Sequence, residues 1–398
     1  MKIVDLKCAV IGKHPIVRIV TDEGIDGFGA AEYFKPYLKP FILFFREQLL
    51  GLDPTDVERC MLEIRSRGAF KPYGSAVSVI EHALLDIAGK AAGVPVYKLL
   101  GGKVRDRVRV YNGAYREPMT SFEPKDFAEH ARQLRDRPEG FTIVKEGIGF
   151  HSEMRHHIPD FFYGEATERK VHAWVDRGLL TERGLSHIVE CVAAMKETLG
   201  DGIGLALDCG PGFVMPDALR LAKAVEKFNL MWLEDMITGD YTPFVNADVY
   251  REVTQSTTTP IHTGEQIYLR QNFKDLLEKK AVRVVGPDPA DVGGLMELKW
   301  IAEYADLHGA LMAPHGTGNG LLGLAALVQV SAALPQNFIA FECPVGRPDW
   351  WYDIVDGLPD PIVENGFIKV WDTPGMGVTL NPEKTARYLQ EEDADFFS

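Results

Sequence analysis

Short apolar runs alternate with longer amphipathic stretches along most of the chain from residue 108 onward. Each run has the length of a buried β-strand, and the stretches between runs carry apolar residues at helical spacing. The runs lie at residues 108–112, 142–145, 204–208, 230–234, 260–265, 282–288, 310–315 and 338–342. Strands in this number with intervening helices are what a β/α barrel requires, so the pattern predicts an α/β fold of that type.

An open, doubly wound sheet would produce a similar alternation of strands and helices. Sheets of that class that bind dinucleotides carry a GxGxxG sequence at the first turn from strand to helix. We find no such sequence at that turn. A barrel is therefore preferred to an open sheet.

The residues before the barrel pattern indicate a smaller, separate domain. Residues 15–33 contain two short β patterns on either side of Asp22-Glu23-Gly24, which predicts a hairpin in an antiparallel sheet. Residues 75–92 have apolar positions at helical spacing. We therefore divide the chain into an α+β domain at 1–125, a barrel at 126–370, and a turn-rich segment at 371–398 that packs back on the first domain.

One interval between the predicted strands is unusually long. Residues 146–203 separate the second run from the third, and residues 151–184 among them are rich in histidine, arginine and aromatic side chains. Loops of this length inside a compact domain are usually either functional lids or disordered segments. The sequence leaves both interpretations open.

The net charge and the spacing of the cysteines limit the kinds of molecule that this protein is expected to bind. The formal net charge of −14 at pH 7 would repel nucleic acid and anionic membranes. No apolar run approaches the ~20 residues needed to span a bilayer. The five cysteines are scattered without CxxC spacing, which argues against a disulfide framework or a structural zinc site and favours a reducing cytoplasm. The expected partner is a small molecule, and an anionic one would need a metal or locally placed cations.

Three successive predicted strands end in a carboxylate, at Asp208, Glu234 and Glu265. In a β/α barrel the carboxyl ends of the strands form the mouth, where catalytic residues lie. One such residue alone is more often a helix cap or a surface charge. Three on adjacent strands would present hard oxygen ligands to one point, which suits Mg²⁺.

The following strands also end in ionisable residues. Asp288 ends the sixth predicted strand, His315 the seventh and Glu342 the eighth. Adjacent strands would bring the Asp288 carboxylate against the His315 imidazole, which would fix its tautomer and raise its basicity. A lone histidine beside proline and glycine is more often structural, but one that is paired with Asp288 and faces a metal is a candidate general base. Glu342 faces the same rim and would hydrogen-bond a substrate oxygen if it were protonated.

Taken together, these residues resemble the mandelate racemase subgroup of the enolase superfamily, with the same order of charged positions: Lys145, Asp208, Glu234, Glu265, Asp288, His315 and Glu342. The Val-Gly-Gly that follows Asp288, and the stretches at 21–29 and 81–102, extend the resemblance over essentially the whole chain. The resemblance implies a TIM-like (β/α)₇β barrel with an N-terminal α+β capping domain. It also implies a homo-oligomer.

The resemblance assigns a role to each charged residue. Mg²⁺ would be held by Asp208, Glu234 and Glu265. A base formed by His315 and Asp288 would remove the proton next to a carboxylate. Lys145 and the metal would stabilise the resulting enediolate, and Glu342 would be the electrophilic partner at the carboxylate.

The sequence departs from the family at two positions that bear on the reaction. Many members carry Lys-x-Lys on the second strand, whereas here Lys145 is followed two residues later by Gly147. Asp208 is followed by Cys209-Gly210, so the histidine that some acid-sugar dehydratases place two residues after this ligand is also absent. The insertion is a candidate source of a second acid, although each of its candidates alone is more typical of a solvated loop: His151, His156, His157 and Tyr163.

Specificity would come from loops of the capping domain over the barrel mouth, at residues 32–37 and 65–73. Arg67, Lys71 and Tyr73 would bind hydroxyls or a distal carboxylate, or they form an exposed basic turn. His262 is interpreted as structural. The sequence does not distinguish aldonic from aldaric acids.

The departures favour elimination of water over racemisation. A racemase needs an acid or base on each face of the α-carbon, whereas one dyad can remove a proton and then protonate the departing hydroxide. We therefore predict a Mg²⁺-dependent acid-sugar dehydratase, a hydro-lyase that converts a sugar carboxylate to a 2-keto-3-deoxy acid. The alternatives are a racemase or epimerase, and a barrel that binds metal and ligand without catalysis.

Overall fold

The chain begins with a three-stranded antiparallel sheet formed by Ile3–Ile11, His14–Thr21 and Gly27–Ala30. Ile16 lies opposite Ala30, and the turn between their strands contains Asp22-Glu23-Gly24, so the predicted hairpin is confirmed. The structure is a computed structural model that describes residues 1–113, 119–149, 152–164, 179–210, 212–237, 245–316 and 318–398.

A long helix, Gly74–Ala92, packs directly against this sheet and confirms the helix predicted at 75–92. Almost all of its side chains up to residue 89 are buried. A Cβ atom on Gly27 or Gly29 would overlap the backbone of this helix, so these glycines allow the strand and the helix to touch. The helix ends before Gly93, whose φ of 68° is the left-handed conformation that glycine commonly adopts after a helix.

The described residues contain eight parallel strands that form the barrel: Arg107–Gly113, Ile143–Gly147, Gly204–Asp208, Leu233–Glu234, Ile261–Thr263, Val284–Val285, Leu311–Met312 and Phe341–Pro344. We number them as the first to the eighth barrel strand. The second to the seventh form one continuous parallel sheet, and the eighth pairs with the first.

Two smaller connections close the barrel. A bridge between Met312 and Phe338 links the seventh strand to the residues that enter the eighth. The Asn112 side chain accepts a hydrogen bond from Lys145 N at 2.8 Å and donates one to Lys145 O at 2.9 Å, which ties the first strand to the second.

Within the described ranges, seven helices connect successive barrel strands: Pro124–Arg135, Glu182–Leu199, Met215–Val225, Ala247–Ser256, Gln271–Glu278, Leu295–Leu307 and Gly320–Ala333. The (β/α)₇β arrangement with an N-terminal α+β capping domain is thereby confirmed.

The remaining elements of the described chain are shorter or peripheral. They include helices at Lys39–Leu43, Arg46–Leu49, Val57–Gly68, Val96–Leu99, Met154–His157, Trp350–Ile354 and Pro382–Thr385. They also include 3₁₀ turns at Pro36–Leu38, Lys71–Tyr73, Glu226–Phe228, Ala386–Tyr388 and Glu391–Asp393. Short strands lie at Phe162–Tyr163, Leu179–Leu180, Val355–Asp356, Phe367–Lys369 and Thr379–Leu380. None of the helices in the described segments has both the length and the apolar character needed to cross a membrane.

A small apolar layer fills the interior of the barrel, separate from the larger core beneath the helices. Its buried members are Tyr111, Ile143, Ala206, Trp232, Val284, Ala313 and Ala340. Barrels of eight strands are filled by side chains rather than open along the axis. A ligand site must therefore lie above this layer, at the carboxyl ends of the strands.

The barrel begins earlier in the chain than predicted, and the C-terminal segment contacts the first domain. The first barrel strand begins at Arg107, so barrel residues precede the boundary that we predict at residue 125. In the C-terminal segment, Asp393 Oδ2 accepts a hydrogen bond from Val10 N at 2.9 Å, and Tyr388 O accepts one from Gly12 N at 3.0 Å. This segment therefore lies against the first sheet.

The long helix of the capping domain also holds the turn that follows the sixth barrel strand. Glu81 on that helix accepts hydrogen bonds from Leu295 N and Met296 N, at the start of the helix Leu295–Leu307. Gly294 precedes them with a φ of 110°, and a Cβ atom there would overlap the Glu81 carboxylate. The turn can approach the capping domain this closely only because residue 294 is glycine.

Replacing Gly294 with alanine should destabilise the protein by about 3 kcal/mol or more, because backbone strain adds to the overlap with Glu81. Gly309→Ala is a matched control, since its φ is 71° and no described atom lies within 4 Å of the added Cβ. That control should lose about 1 kcal/mol through strain alone. Denaturant unfolding measures both losses, and equal losses would contradict the close fit of Gly294 against Glu81.

Candidate active site

The register of the parallel strands places the charged residues of the barrel mouth side by side. Asp208 and Glu234 end the third and fourth strands and lie opposite each other, and His262 lies opposite Glu234 on the fifth strand. Lys145 lies on the second strand, and Glu265 follows the fifth strand by two residues. The first three predicted carboxylates and Lys145 therefore meet at one rim of the barrel.

Lys145 is held among three carboxylates. Its Nζ atom lies 2.7 Å from Glu234 Oε1, 3.2 Å from Glu342 Oε1 and 3.6 Å from Asp208 Oδ2, and its side chain is only 6% exposed. Burial alone would lower the pKa of Lys145, but Glu234, Glu342 and Asp208 together raise it well above its usual value. The ammonium group therefore stays charged and stands in the middle of a strongly negative site.

A group of carboxylates at this rim could hold a metal ion. One oxygen each from Glu234, Asp235 and Glu265 lies within 4.8 Å of the others. The predicted ligand set is Asp208, Glu234 and Glu265. In the described residues, Asp208 is not part of that 4.8 Å group. The Lys145 ammonium lies between Asp208 and Glu234 and contacts both carboxylates. An all-oxygen donor set with more carboxylates than cations fits a hard divalent ion.

Glu234 is positioned by aromatic neighbours beneath the rim. The carboxylate is 1% exposed, and its Oε2 atom accepts a hydrogen bond from Trp232 Nε1 at 2.9 Å. His262 stacks on Trp232, with its Nδ1 atom 3.6 Å from Glu234 Oε2. Burial lowers the pKa of His262, although Glu234 opposes that effect. His262 thus supports Glu234 from within the core.

The structure brings the predicted pair His315 and Asp288 into direct contact. His315 Nδ1 lies 2.6 Å from Asp288 Oδ2, and Asp288 is completely buried. Asn319 Nδ2 donates to both Asp288 oxygens, at 2.9 and 3.0 Å, and Ala290 N donates to Oδ1 at 2.7 Å. Because an ionised carboxylate can only accept, the proton on Nδ1 of His315 is directed at Asp288, and Nε2 is the nitrogen left to exchange a proton with a substrate.

The Nε2 atom of His315 faces the barrel mouth. His315 Nε2 lies 3.3 Å from Glu265 Oε2 and 3.4 Å from Glu342 Oε2. Burial would lower the pKa of His315, but Glu265, Glu342 and Asp288 together raise it well above its usual value. Glu342 therefore stands between the imidazole and the Lys145 ammonium, so the base and the cation face one space.

Several residues of the site were missed by the sequence analysis. Asn319 lies four residues after His315, at the start of a helix, and the spacing alone gave no reason to place it on Asp288. Trp232 lies two residues before Glu234, on the same face of the strand, which was a usable signal. Asp235 adjoins Glu234 and accepts a hydrogen bond from Thr263 Oγ1 at 2.6 Å.

The loop at 32–37, predicted to govern specificity, reaches the pair formed by His315 and Asp288. One oxygen of Glu32, one of Asp288 and a ring nitrogen of His315 lie within 4.8 Å of one another. Lys35 Nζ lies 2.5 Å from Glu32 Oε2 and 3.1 Å from Asp291 Oδ2. The capping domain therefore contributes charged side chains directly to the barrel mouth.

The second predicted specificity loop is only partly at the site. Lys71 borders a cavity of about 830 Å³ between the capping domain and the barrel, which Lys35 and Asp291 also line. Tyr73 packs instead in an aromatic cluster, with its ring 5.4 Å from that of Phe41. Arg67 is exposed.

The candidates for a second acid in the insertion are only partly described. His151 lies outside the described residues. His156 and His157 lie on the short helix Met154–His157, and His157 stacks on Phe122 at 4.3 Å between ring centres. Tyr163 is 67% exposed. Their role as acids stays a prediction.

The two departures from the family pattern are visible at the rim. Gly147 lies opposite Asp208 and has no side chain to exchange a proton. Cys209 is fully buried, and burial raises the pKa of its thiol well above the usual value. Gly210, two residues after Asp208, likewise has no side chain, so neither Gly147 nor Gly210 offers an acid or base.

Comparisons with known proteins agree with this arrangement. Residues 126–384 match the family described as "Enolase C-terminal domain-like", and residues 10–101 match "Mandelate racemase / muconate lactonizing enzyme, N-terminal domain". A solved structure described as a mandelate racemase/muconate lactonizing enzyme-like protein from Rubrobacter xylanophilus is 32% identical, covers 98% of both chains and has a TM-score of 0.83.

Curated relatives cover nearly the same span. A D-xylonate dehydratase of Haloferax volcanii is 33% identical over 99% of this chain and 90% of its own length. A D-galactonate dehydratase of Variovorax paradoxus is 30% identical over 92% of this chain and 89% of its own length. The protein therefore belongs to the mandelate racemase/muconate lactonizing enzyme family of the enolase superfamily.

Proposed function

We propose that this protein is a Mg²⁺-dependent acid-sugar dehydratase. It removes the proton next to the carboxylate of a polyhydroxylated acid, expels the β-hydroxyl and forms a 2-keto-3-deoxy acid. The observation that carries the proposal is the placement of the His315–Asp288 pair and the Lys145 ammonium around one space at the barrel mouth. The relatives named as D-xylonate and D-galactonate dehydratases support the same class of substrate.

The cation site is assigned to the strand-end carboxylates. Members of the enolase superfamily typically bind a divalent metal, and the acidic cluster at this rim could hold one. We assign Mg²⁺ to Asp208, Glu234 and Glu265. When bound there, Mg²⁺ would neutralise negative charge that develops on the substrate carboxylate.

His315 acts as the general base. Its Nε2 atom takes the α-proton while Nδ1–H stays bonded to Asp288, which stabilises the imidazolium that forms. Asp288 is itself fixed by Asn319 and Ala290, so the ring keeps one orientation before and after the transfer. Asp288 is completely buried, so the ring is anchored on an acceptor that solvent does not reach.

Lys145 and Glu342 bind the carboxylate end of the substrate. The Lys145 ammonium stabilises the charge of the enediolate, because it is already charged and desolvated before the proton moves. Glu342, which lies between Lys145 and His315, is the electrophilic partner at the carboxylate. This places the α-carbon against His315 Nε2.

Dehydration is preferred to racemisation because the second face lacks an acid or base at the usual positions. Gly147 stands where, by the family resemblance, many members carry lysine, and Gly210 stands where some acid-sugar dehydratases carry histidine. A single base on one face can support elimination but not inversion. We also propose that the protein acts in the cytoplasm as a homo-oligomer with a small-molecule substrate, without nucleic acid or membrane partners.

Asp208→Asn should weaken Mg²⁺ binding at least about 10-fold more than Asp235→Asn. Removing the charge of a residue that binds the ion directly weakens binding more than removing the charge of a residue next to a ligand. The Asp208 side chain is 17% exposed at the mouth, whereas Asp235 is 2% exposed and bonded to Thr263. Calorimetric titration of Mg²⁺ into each purified variant measures the effect, with the exposed Asp201→Asn as control. The opposite order would assign the third ligand to Asp235.

His315→Asn should reduce turnover by about 10²-fold or more, because the variant cannot accept the α-proton. Proton NMR in D₂O with Mg²⁺ and a panel of aldonic and aldaric acids follows both the substrate and any 2-keto-3-deoxy product. His308→Asn, a half-buried position directly after the helix Leu295–Leu307, is the matched control and should keep full activity. Full activity of His315→Asn would overturn the assignment. Deuterium entering the α-position of the wild-type reaction without loss of water would indicate a racemase instead.

A further inference from the structure

Glu32 enters the active site from the capping domain. It follows the strand Gly27–Ala30, and the next residue fixes the loop, since Tyr33 N donates a hydrogen bond to Gly318 O at 3.0 Å. Gly318 lies in the loop that begins at His315. The Glu32 side chain is 2% exposed, so its position is set by packing and by this backbone contact.

The Glu32 carboxyl group lies close to the base but is not needed to hold it. Its oxygen, an Asp288 oxygen and a His315 nitrogen lie within 4.8 Å of one another. Asp288 already receives hydrogen bonds from His315 Nδ1, Asn319 and Ala290. The orientation of the ring is therefore complete without Glu32, and the ion pair with Lys35 is the contact that holds this buried carboxyl group in place.

Charge balance in the cluster favours a proton on Glu32. In the described part of the chain, the carboxyl groups of Glu32, Asp288 and Asp291 form one cluster whose permanent cation is Lys35 when His315 is neutral. Asp291 contacts Lys35 with both oxygens, at 3.1 and 3.2 Å, and it also accepts a hydrogen bond from the Ser75 hydroxyl. Lys35 Nζ also lies 2.5 Å from Glu32 Oε2, so one ammonium serves two carboxyl groups and cannot balance the charge of both.

The pKa of Glu32 agrees with this balance. Burial first, and then the negative charges of Asp291 and Asp288, raise the pKa of Glu32 to about 8, although Lys35 and His315 oppose the shift. A carboxyl group with this environment carries its proton near neutral pH. It is then a proton donor in the same cluster as the general base.

We propose that Glu32 is the general acid of the dehydration and donates its carboxyl proton to the departing β-hydroxyl. This inference rests on the proposed function. It assigns the second proton transfer to the capping domain rather than to the insertion at 151–184 or to His315 alone. Because the Glu32 and His315 side chains lie in one cluster, the proton and the hydroxyl are expected to leave from the same face of the substrate.

The proton and electron balance of the step is complete. His315 Nε2 takes the α-proton, and the electrons of the C–H bond pass into the carboxylate to give an enediolate. The enediolate then forms a double bond between the α- and β-carbons, the β C–O bond breaks, and the oxygen leaves as water with the Glu32 proton. The imidazolium returns its proton to the Glu32 carboxylate. The enol product becomes the 2-keto-3-deoxy acid when its hydroxyl proton is lost to solvent and the β-carbon gains one.

The test separates removal of the α-proton from loss of the hydroxyl. Glu32→Gln keeps the size of the side chain but has no acidic proton. It is compared with the wild type and with Glu63→Gln, an exposed position on the helix Val57–Gly68 that should behave as the wild type. The probes are D-xylonate, D-galactonate and their 3-deoxy-3-fluoro analogues, followed by NMR in D₂O with Mg²⁺. Fluoride leaves without the protonation that hydroxide requires.

If Glu32 is the acid, Glu32→Gln lowers the rate of dehydration by about 10²-fold or more, while fluoride release stays within a few fold of the wild type. Deuterium also enters the α-position of recovered substrate, because the enediolate now returns more often than it eliminates. Equal losses of dehydration and fluoride release in Glu32→Gln would overturn the proposal, since they indicate a structural role. So would a rise in KM with unchanged kcat, which indicates binding alone.

Failure of the proposed function gives a different pattern. A wild type that neither exchanges the α-proton nor loses water from any of the acid sugars would overturn the dehydratase assignment, and the role of Glu32 with it. A wild type that dehydrates, together with a Glu32→Gln variant of unchanged rate, would overturn only the role of Glu32.

Discussion

The excess of negative charge at the barrel mouth is the constraint on which the site depends. Asp208, Glu234 and Glu342 surround the single ammonium of Lys145 in a region that water hardly reaches. Buried carboxylates are unfavourable unless cations or hydrogen bonds compensate them, so the arrangement is complete only with further positive charge. The same excess that attracts a divalent ion also favours removal of a proton by His315, because the imidazolium adds a second cation to the cluster.

The barrel beneath the rim gives these charges their geometry. Parallel register sets Asp208 opposite Glu234, and the indole of Trp232 fixes the Glu234 carboxylate from below. Trp232 also packs edge-on against Tyr111, over which the Lys145 ammonium lies at 5.7 Å. The aromatic layer therefore excludes water from one side of the ion pairs, and this strengthens every electrostatic contact above it.

The parts of this arrangement that the sequence predicts are those that follow from strand ends. Asp208, Glu234, Asp288 and His315 each end or follow an apolar run, and parallel register then brings neighbouring strand ends together. Glu32 and Asn319 could not be found in this way, because their positions depend on how the capping loop and a helix N-terminus pack on the barrel. Tyr73 shows the opposite error: a polar aromatic in a predicted specificity loop packs mainly against phenylalanines.

The interface between the capping domain and the barrel has an evolutionary consequence. Lys35 of the capping domain neutralises Asp291 of the barrel, and Glu81 of the capping domain binds the turn that Gly294 keeps open. If the capping domain were replaced by that of a distant relative, Asp291 would lose its cation. The turn at Gly294 would also face a helix that does not match it. Recombination between homologous genes at this interface is therefore disfavoured. New substrate preferences in this lineage should arise by substitutions that change both domains together.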